Sequence, residues 1–353
     1  MKRFVLFLSL MGVCVCVQAY AEQDYFFRDF KSTDLPKKLH LDKKLSQTIQ
    51  PCAQLNASKH YTSAGVREPD ICTKSFKKSA LMSYDLALGY LVSKNKQYGL
   101  KAIEILNAWA KELQSVDTYQ SEDNINFYMP YMNMAYWFVK KALPSPEYED
   151  FIKRMRQYSQ SALNTNHGAW GILFERMRQY SQSALNTNHG AWGILFDVSS
   201  ALALDDNALL HNSANRWQEW VFKAIDENGV IASAITRSDT SDYHGGPTKG
   251  IKGIAYTNFA LLALTISGEL LFENGYDLWG SEAGKRLSVA YNKVATWILN
   301  PETFPYFQPN LIGVHNNAYF IILAKHYSSP SADELLKQGD LHEDGFRLKL
   351  RSL

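Results

Sequence analysis

Four side chains of this 353-residue protein have the types that acid–base chemistry beside a carboxylate would use. They are the adjacent Asn188 and His189, then Arg237 and Tyr256. Histidine titrates near neutral pH and suits a general base, and a tyrosine hydroxyl can donate a proton. Arginine presents a fixed fork of donors that fits a carboxylate, and asparagine offers a neutral donor. Such a set could neutralise a carboxylate and move a proton next to it.

The Asn-His pair lies in a duplicated stretch of the chain. Residues 154–174 recur letter for letter as residues 176–196, so Asn166 and His167 form a second, identical pair. Old structural repeats diverge and usually occur in threes or more. We therefore interpret the repeat as a recent in-frame tandem duplication of 22 residues within 154–196. One of the two Asn-His pairs is expected to be surplus.

Three arrangements would keep the sequences that flank the duplication in place. Extruding Thr165 to Asn186 retains His189, whose copy runs directly into Asp197 and an Ala-Leu-rich helix. Extruding the stretch after Phe174 retains His167 instead. Because six helical turns take about 21.6 residues, a longer helix in the same phase is the third possibility. We favour the first arrangement, and so His189.

The N-terminal segment has the features of a secretory signal peptide. Lys2 and Arg3 precede the apolar run 4–17 and a small-residue site at 19–21. We expect residues 1–21 to be removed and the mature chain, from Glu22, to be periplasmic or secreted. We expect no later stretch to be long and apolar enough to span a membrane.

Two cysteines remain after the signal segment, Cys52 and Cys72. In an oxidising compartment they predict one disulfide, which would contribute roughly 3 kcal/mol to stability. The alternative is a pair of buried free thiols. Neither a metal-type cysteine spacing nor a His-Glu-x-x-His motif occurs, so we expect no metal and no cofactor.

The formal charge of +2 falls to zero when Lys2 and Arg3 leave with the signal segment. A neutral chain argues against nucleic acid or a membrane surface as partner. An anionic ligand would have to be held by a few placed residues. We expect the protein to be a monomer.

Apolar residues recur three and four positions apart through most of the chain, which is the spacing of amphipathic helices. Residues 81–91 and 103–113 show it on either side of the polar turn 93–96, and this predicts an antiparallel helical hairpin. Further helices are predicted at 127–143, 147–163, 192–204, 208–225, 255–271, 281–299 and 317–327. The pattern predicts one all-α domain over residues 22–353. Hairpins in series favour an α/α toroid, an incomplete barrel of antiparallel helical hairpins, or a large irregular helical domain.

One segment departs from the helical pattern. Residues 233–253 contain four glycines, a proline and many hydrogen-bonding side chains between two predicted helices. This composition predicts an exposed loop, and such loops often carry function.

Three parts of the sequence resemble the alginate lyase family of polysaccharide lyases. They are Asn188-His189-Gly190-x-Trp192 before the Ala-Leu-rich helix, Arg237, and the run Tyr256-x-Asn258-Phe259-Ala260-Leu261. The resemblance covers roughly residues 84–271. It implies an α/α toroid that cleaves a uronate polymer, and alginate or polymannuronate is the favoured substrate. The implied reaction is a metal-independent β-elimination that leaves a 4,5-unsaturated uronate end.

The resemblance places Asn188, His189, Arg237 and Tyr256 at the family's catalytic positions, with Asn166 and His167 as the alternative copy. The interval from Arg237 to Tyr256 is longer than the family pattern, which leaves Tyr243 and His244 as substitutes for Tyr256.

Removing the C5 proton of a uronate builds a second negative charge onto its carboxylate, which the site must first neutralise. Arg237 and Asn188 are expected to do this. His189 is expected to be the base. Tyr256 is expected to protonate the departing oxygen, or to be the base for the other epimer.

Five further residues were candidates for binding the anionic polysaccharide: Trp192, Tyr243, His244, Asn126 and Tyr128. Two alternatives to an alginate lyase stay open. One is a lyase for another uronate polymer such as glucuronan. The other is a catalytically disabled relative that only binds polysaccharide, because the duplication could displace the Asn-His pair and catalytic geometry does not tolerate that. A glycosidase would need paired carboxylates across a cleft, and Asp239 with Asp242 is a weak pair.

Overall fold

The computed structural model describes residues 25–30, 34–159, 186–315, 317–339, 341–342 and 345–351. The signal segment and the first Asn-His pair, Asn166 and His167, lie outside the described residues. The second pair lies inside them.

The described chain is mainly helical, as the sequence predicted, with a few two-residue strands. The helices are α1 (Leu35–Lys38), α2 (Leu41–Leu45), α3 (Ile71–Ser93), α4 (Lys96–Glu112), α5 (Tyr119–Val139), α6 (Pro146–Met155), α7 (Asn188–Leu204), α8 (Asn207–Ala224), α9 (Ala232–Ile235), α10 (Gly253–Phe272), α11 (Glu282–Leu299), α12 (Phe320–Leu323), α13 (Pro330–Gln338) and α14 (Leu348–Arg351). The strands are β1 (Gln54–Leu55), β2 (Tyr61–Thr62), β3 (Gly65–Val66) and β4 (Ser115–Val116). Strand β1 pairs parallel with β4, and β2 pairs antiparallel with β3.

The long helices form hairpins arranged in two layers. In the inner layer α3 packs on α5, α5 on α7 and α7 on α10. In the outer layer α4 packs on α3, α8 on α7 and α11 on α8. Helices α7 and α10 are apolar around nearly their whole circumference and almost wholly buried, which is the expected pattern for helices enclosed by neighbours.

Local sequence explains where the predicted hairpin of α3 and α4 turns. Lys94 ends α3 in a left-handed conformation (φ 57°), and the Asn95 side chain accepts from the Gln97 N–H to cap α4. Two other predicted helices are shorter than expected. Helix α6 ends at Met155, and the stretch 317–327 forms only the four-residue α12.

Helix α10 corrects one expectation, because by length and composition it could cross a membrane. Its most apolar window has a mean hydropathy of 1.4, but 78% of that window is buried inside the protein. It packs against α7, α8, α9 and α11, so it is a core helix of this fold.

The two ends of the described chain meet beside the inner helices. The Arg351 guanidinium lies over the ring of Phe27 and donates to the Phe26 carbonyl oxygen. Arg347 donates through two nitrogens to the buried Asp85 carboxylate of α3, each at 2.8 Å. These contacts hold the C-terminal segment, whose Gly345 lines the cleft described below.

The predicted disulfide joins Cys52 and Cys72. It fastens the segment that carries β1, β2 and β3 to the first turn of α3. Because residues 57–61 of this segment line the same cleft, the disulfide helps to hold one of its walls.

Candidate active site

A cleft of about 1430 Å³ opens at the N-terminal ends of α5, α7 and α10. Residues 57–61 and residues of the 233–253 loop complete its walls. Typical pockets for small ligands measure roughly 300–1,000 Å³. The cleft therefore has room for an extended ligand of several units.

His189 is fixed at the start of α7 by a cap and by a buried acid. The Thr187 side chain caps the helix by accepting from the His189 N–H at 3.3 Å. The imidazole Nδ1 lies 2.6 Å from Oδ1 of Asp123 on α5, whose side chain is 3% exposed. Because a carboxylate accepts, Nδ1 carries the hydrogen, and Nε2 is the nitrogen left for a ligand in the cleft.

Tyr256, in the first turn of α10, lies in a network of hydroxyl and cationic groups. Arg237 Nη2 donates to its hydroxyl at 3.2 Å, and that hydroxyl donates to the Tyr61 hydroxyl at 2.9 Å. Lys252 Nζ also donates to the Tyr61 hydroxyl, at 3.2 Å. Burial raises the pKa of Tyr256 to about 12, although the Arg237 charge opposes the shift. The phenol therefore keeps its proton at neutral pH and is available as a proton donor.

The four residues predicted as catalytic all line this one cleft: Asn188, His189, Arg237 and Tyr256. Asn188 is 8% exposed, at the first position of α7. Spacing in the sequence could not establish this convergence. It follows from the packing of α7 against α10, which brings the two helix starts together.

The predicted loop at 233–253 is present, apart from the short α9 at its beginning. Tyr243 and His244, both predicted to bind substrate, line the cleft. The His244 Nδ1 lies 2.7 Å from the Thr236 hydroxyl. Burial, with the nearby Arg237 charge, lowers the pKa of His244.

Three of the predicted substrate-binding residues do not line the cleft in the structure. Trp192 is 1% exposed, and its Nε1 donates to the Phe259 carbonyl oxygen in the core. Asn126 is fully buried, with its amide donating to a backbone oxygen of its own helix. Tyr128 packs edge-on against Phe76. The Trp192 ring packs against the Phe259 ring, with centroids 4.7 Å apart, and Phe259 lines the cleft. Trp192 therefore supports a wall of the cleft without lining it.

Sequence reasoning missed Asp123, Tyr61 and Lys252. Asp123 belongs to a run of polar residues at the start of an otherwise apolar helix, and that was the available signal. Tyr61 and Lys252 stand on a two-residue strand and in a loop, where no periodicity marks them.

The cleft is basic although the chain is nearly neutral. Among the described residues that line it, the cations are Lys59, Lys77, Arg237 and Lys252, and the carboxylate is the buried Asp123. Burial, together with the Lys252 charge, lowers the pKa of His60 beside them. Clefts lined by one sign of charge concentrate ligands of the opposite sign, so this one favours a polyanion.

The cleft thus combines a basic, aromatic lining with a histidine, an arginine and a tyrosine on a helical fold. The chain belongs to the alginate lyase family, whose sequence profile matches residues 27–304. No curated protein sequence matches the chain significantly.

Solved structures of alginate lyase A1-III from Sphingomonas species A1 have a similar fold. One is 15% identical, with a TM-score of 0.62 over 94% of this chain and 89% of that chain. A histidine-to-alanine variant of that lyase, complexed with a tetrasaccharide, is 16% identical, with a TM-score of 0.60 over 92% of this chain and 87% of the other. At these identities the likeness establishes the shared fold.

Proposed function

We propose that this protein is a periplasmic or secreted lyase that cleaves alginate by metal-independent β-elimination. Polymannuronate is its preferred substrate. We further propose that the two helical layers form an incomplete α/α toroid with the cleft at one end. The observation that carries the proposal is the meeting of two proton-transfer groups in one basic cleft. These are the His189 imidazole, held by Asp123, and the Tyr256 hydroxyl, held by Arg237 and Tyr61.

The first requirement is to neutralise the uronate carboxylate beside C5. Arg237 offers charged donors and Asn188 a neutral amide, both in the cleft. Their donors stabilise the dianionic intermediate that forms when the C5 proton leaves.

In the proton transfers, His189 Nε2 takes the C5 proton while Asp123 stabilises the resulting imidazolium. The electron pair of the C5–H bond forms the C4–C5 double bond as the C4–O bond breaks. Tyr256 gives its proton to the departing glycosidic oxygen. Its phenolate is then stabilised by the Arg237 charge and receives a proton from solvent, while the His189 imidazolium releases the C5 proton to solvent. Because burial raises the pKa of Tyr256 to about 12, the phenol holds its proton at neutral pH, as the acid role requires.

The substrate assignment is supported by the charge and size of the cleft and by the family. A basic cleft of about 1430 Å³ suits several anionic sugar units. The tetrasaccharide complex of the A1-III variant shows that this fold can hold a chain of four sugars.

The proposal is tested with purified mature protein on polymannuronate, polyguluronate and glucuronan. Formation of an unsaturated uronate end is followed by ultraviolet absorbance, and products are identified by mass spectrometry. We expect unsaturated oligosaccharides, fastest from polymannuronate. Chain cleavage without a new double bond would indicate a glycosidase, and binding without cleavage would indicate a disabled relative. Either result would contradict the proposal.

A further inference from the structure

The loop that follows Arg237 and leads to α10 folds back over the Arg237 side chain. The Ser238 N–H donates to the Tyr243 carbonyl oxygen at 2.9 Å, and the buried Ser238 hydroxyl donates to the Asp242 carbonyl oxygen. These bonds close a short loop whose last residue is Tyr243. The loop is anchored further because the Ser241 N–H donates to the Thr62 carbonyl oxygen at 3.2 Å.

This fold-back places the Arg237 guanidinium between aromatic rings. Its carbon lies 4.6 Å from the ring centroid of Tyr243 and 4.4 Å from that of Tyr256. Tyr243 is itself braced by an edge-on contact with Tyr61, with centroids 5.9 Å apart. Both rings flanking Arg237 are within the distance at which a guanidinium is attracted to an aromatic face.

The guanidinium of Arg237 contacts the rings of Tyr243 and Tyr256, where a carboxylate would be the more usual partner of an arginine. Among the residues that the structure describes, no carboxylate forms an ion pair with Arg237. Its Nε is buried and donates to no partner among the described residues, while Nη2 donates to Tyr256. A carboxylate partner would compete with the substrate carboxylate for the guanidinium. Aromatic rings orient the group without accepting from its N–H donors, so the terminal N–H groups that Tyr256 does not use stay available for a substrate carboxylate.

We propose that Tyr243 is a positioning residue that acts on the substrate through Arg237. Its ring holds the guanidinium against Tyr256, so that the donors of Arg237 meet the uronate carboxylate and the Tyr256 hydroxyl together. The inference rests on the proposed lyase function. It deepens that function by giving the long interval between Arg237 and Tyr256 a role.

A double-mutant cycle tests the proposal. Tyr243→Phe and Tyr243→Leu are each made in the wild-type and in the Arg237→Ala background, with Ser241→Ala as the matched loop control. Ser241 is exposed, and among the described residues its hydrogen bond is made by the backbone N–H. We expect Tyr243→Phe to stay within about twofold of wild type and Tyr243→Leu to lower kcat/KM about tenfold or more. In the Arg237→Ala background the same Leu substitution should change kcat/KM less than about twofold.

A second readout separates positioning from a general structural effect. Added methylguanidine should partly restore the activity of Arg237→Ala, because the rings of Tyr243 and Tyr256 would hold it, and should fail to restore the Arg237→Ala/Tyr243→Leu variant. Equal losses from Tyr243→Leu in both backgrounds would overturn the proposal and make Tyr243 a direct substrate contact. An equal loss from Tyr243→Phe would also overturn it, because the hydroxyl would then be what matters.

The failure of the inference can be told from failure of the lyase function. If the wild-type protein forms no unsaturated product from any uronate polymer, the function fails. The cycle is then measured as Kd for a mannuronate oligosaccharide by calorimetry. Coupling of Tyr243 to Arg237 in Kd would still support the inference, and additive losses would overturn it.

Discussion

Asp123 on α5 and His189 on α7 lie 66 residues apart in sequence, yet their side chains approach to 2.6 Å at the edge of the cleft. The contact fixes which imidazole nitrogen faces a ligand. It also places a buried negative charge where an imidazolium would form during proton abstraction. The same relationship connects the packing of two inner helices to the proposed chemistry.

The Asp123→Asn variant should lose most of its activity while remaining folded. An amide can donate to Nδ1 and so favour the wrong tautomer, and it cannot stabilise the imidazolium, so kcat should fall by about 10²–10⁴-fold. Steady-state kinetics on polymannuronate measures this. Asp150→Asn is the matched control, because Asp150 is exposed and, within the part of the chain that the structure describes, its ion pair is with Lys153 on α6. Activity within a few-fold of wild type in Asp123→Asn would remove the carboxylate from the mechanism.

The Tyr256→Phe variant should lower kcat by about 10²–10⁴-fold, since it removes the proton donor and keeps the ring beside Arg237. Tyr128→Phe is the control, because Tyr128 packs on Phe76 outside the cleft. If Tyr128→Phe and Tyr256→Phe had equally small effects, Tyr256 would not be the acid.

The pH dependence of the wild-type rate should show the raised pKa of Tyr256. A group that acts as an acid is active below its pKa and inactive above it. Because burial raises this pKa to about 12, loss of the Tyr256 proton should not lower kcat until the pH nears that value. A fall in kcat near pH 10, the ordinary tyrosine range, that is absent from Tyr256→Phe would contradict the assignment.

Removing the disulfide should affect both stability and activity. In the Cys52→Ser/Cys72→Ser variant the free energy of unfolding should fall by roughly 3 kcal/mol. The catalytic efficiency should fall as well, because His60 and Tyr61 lie on the segment that the disulfide anchors. Chemical denaturation and kinetics measure the two effects, with Ser63→Ala as a control substitution, because Ser63 is exposed in the same segment and outside the cleft lining. Unchanged stability would mean that the pairing of β1 with β4 is sufficient to hold this wall.

Deleting Thr165 to Asn186 should give a chain that is active and more stable than the natural one. The deletion leaves Asn164 joined to Thr187, the residue that caps α7, and so preserves the described copy of the motif. Thermal melting and the product assay measure the result. An unchanged or lower melting temperature would contradict the interpretation of the duplication as a surplus insertion.

The long helices were predictable because their apolar spacing is local to the sequence. The α3–α4 hairpin is the clearest case, with its apolar repeats and a polar turn ended by Asn95. The four predicted catalytic residues were found from a resemblance. Their convergence in one cleft depends on the contact of α7 with α10, which no local pattern specifies.

The remaining site residues depend on tertiary structure in ways the sequence did not show. Asp123 becomes important only when α5 packs on α7. Trp192 was predicted to bind substrate, but it lies about one turn further along the buried α7, where its ring packs against Phe259 and is 1% exposed. Lys252 and Tyr61 meet across 191 residues of chain. Contacts of that range carry no periodic signal.

The central claim is that His189, held by Asp123, removes the proton in the β-elimination. The most direct measurement is the rate of unsaturated product formation from polymannuronate by wild type, His189→Ala and His167→Ala. We predict product from wild type and from His167→Ala, and a loss of about 10²-fold or more in His189→Ala. Product formation that survives in His189→Ala and disappears in His167→Ala would contradict the account, because the described copy would then not be the working one.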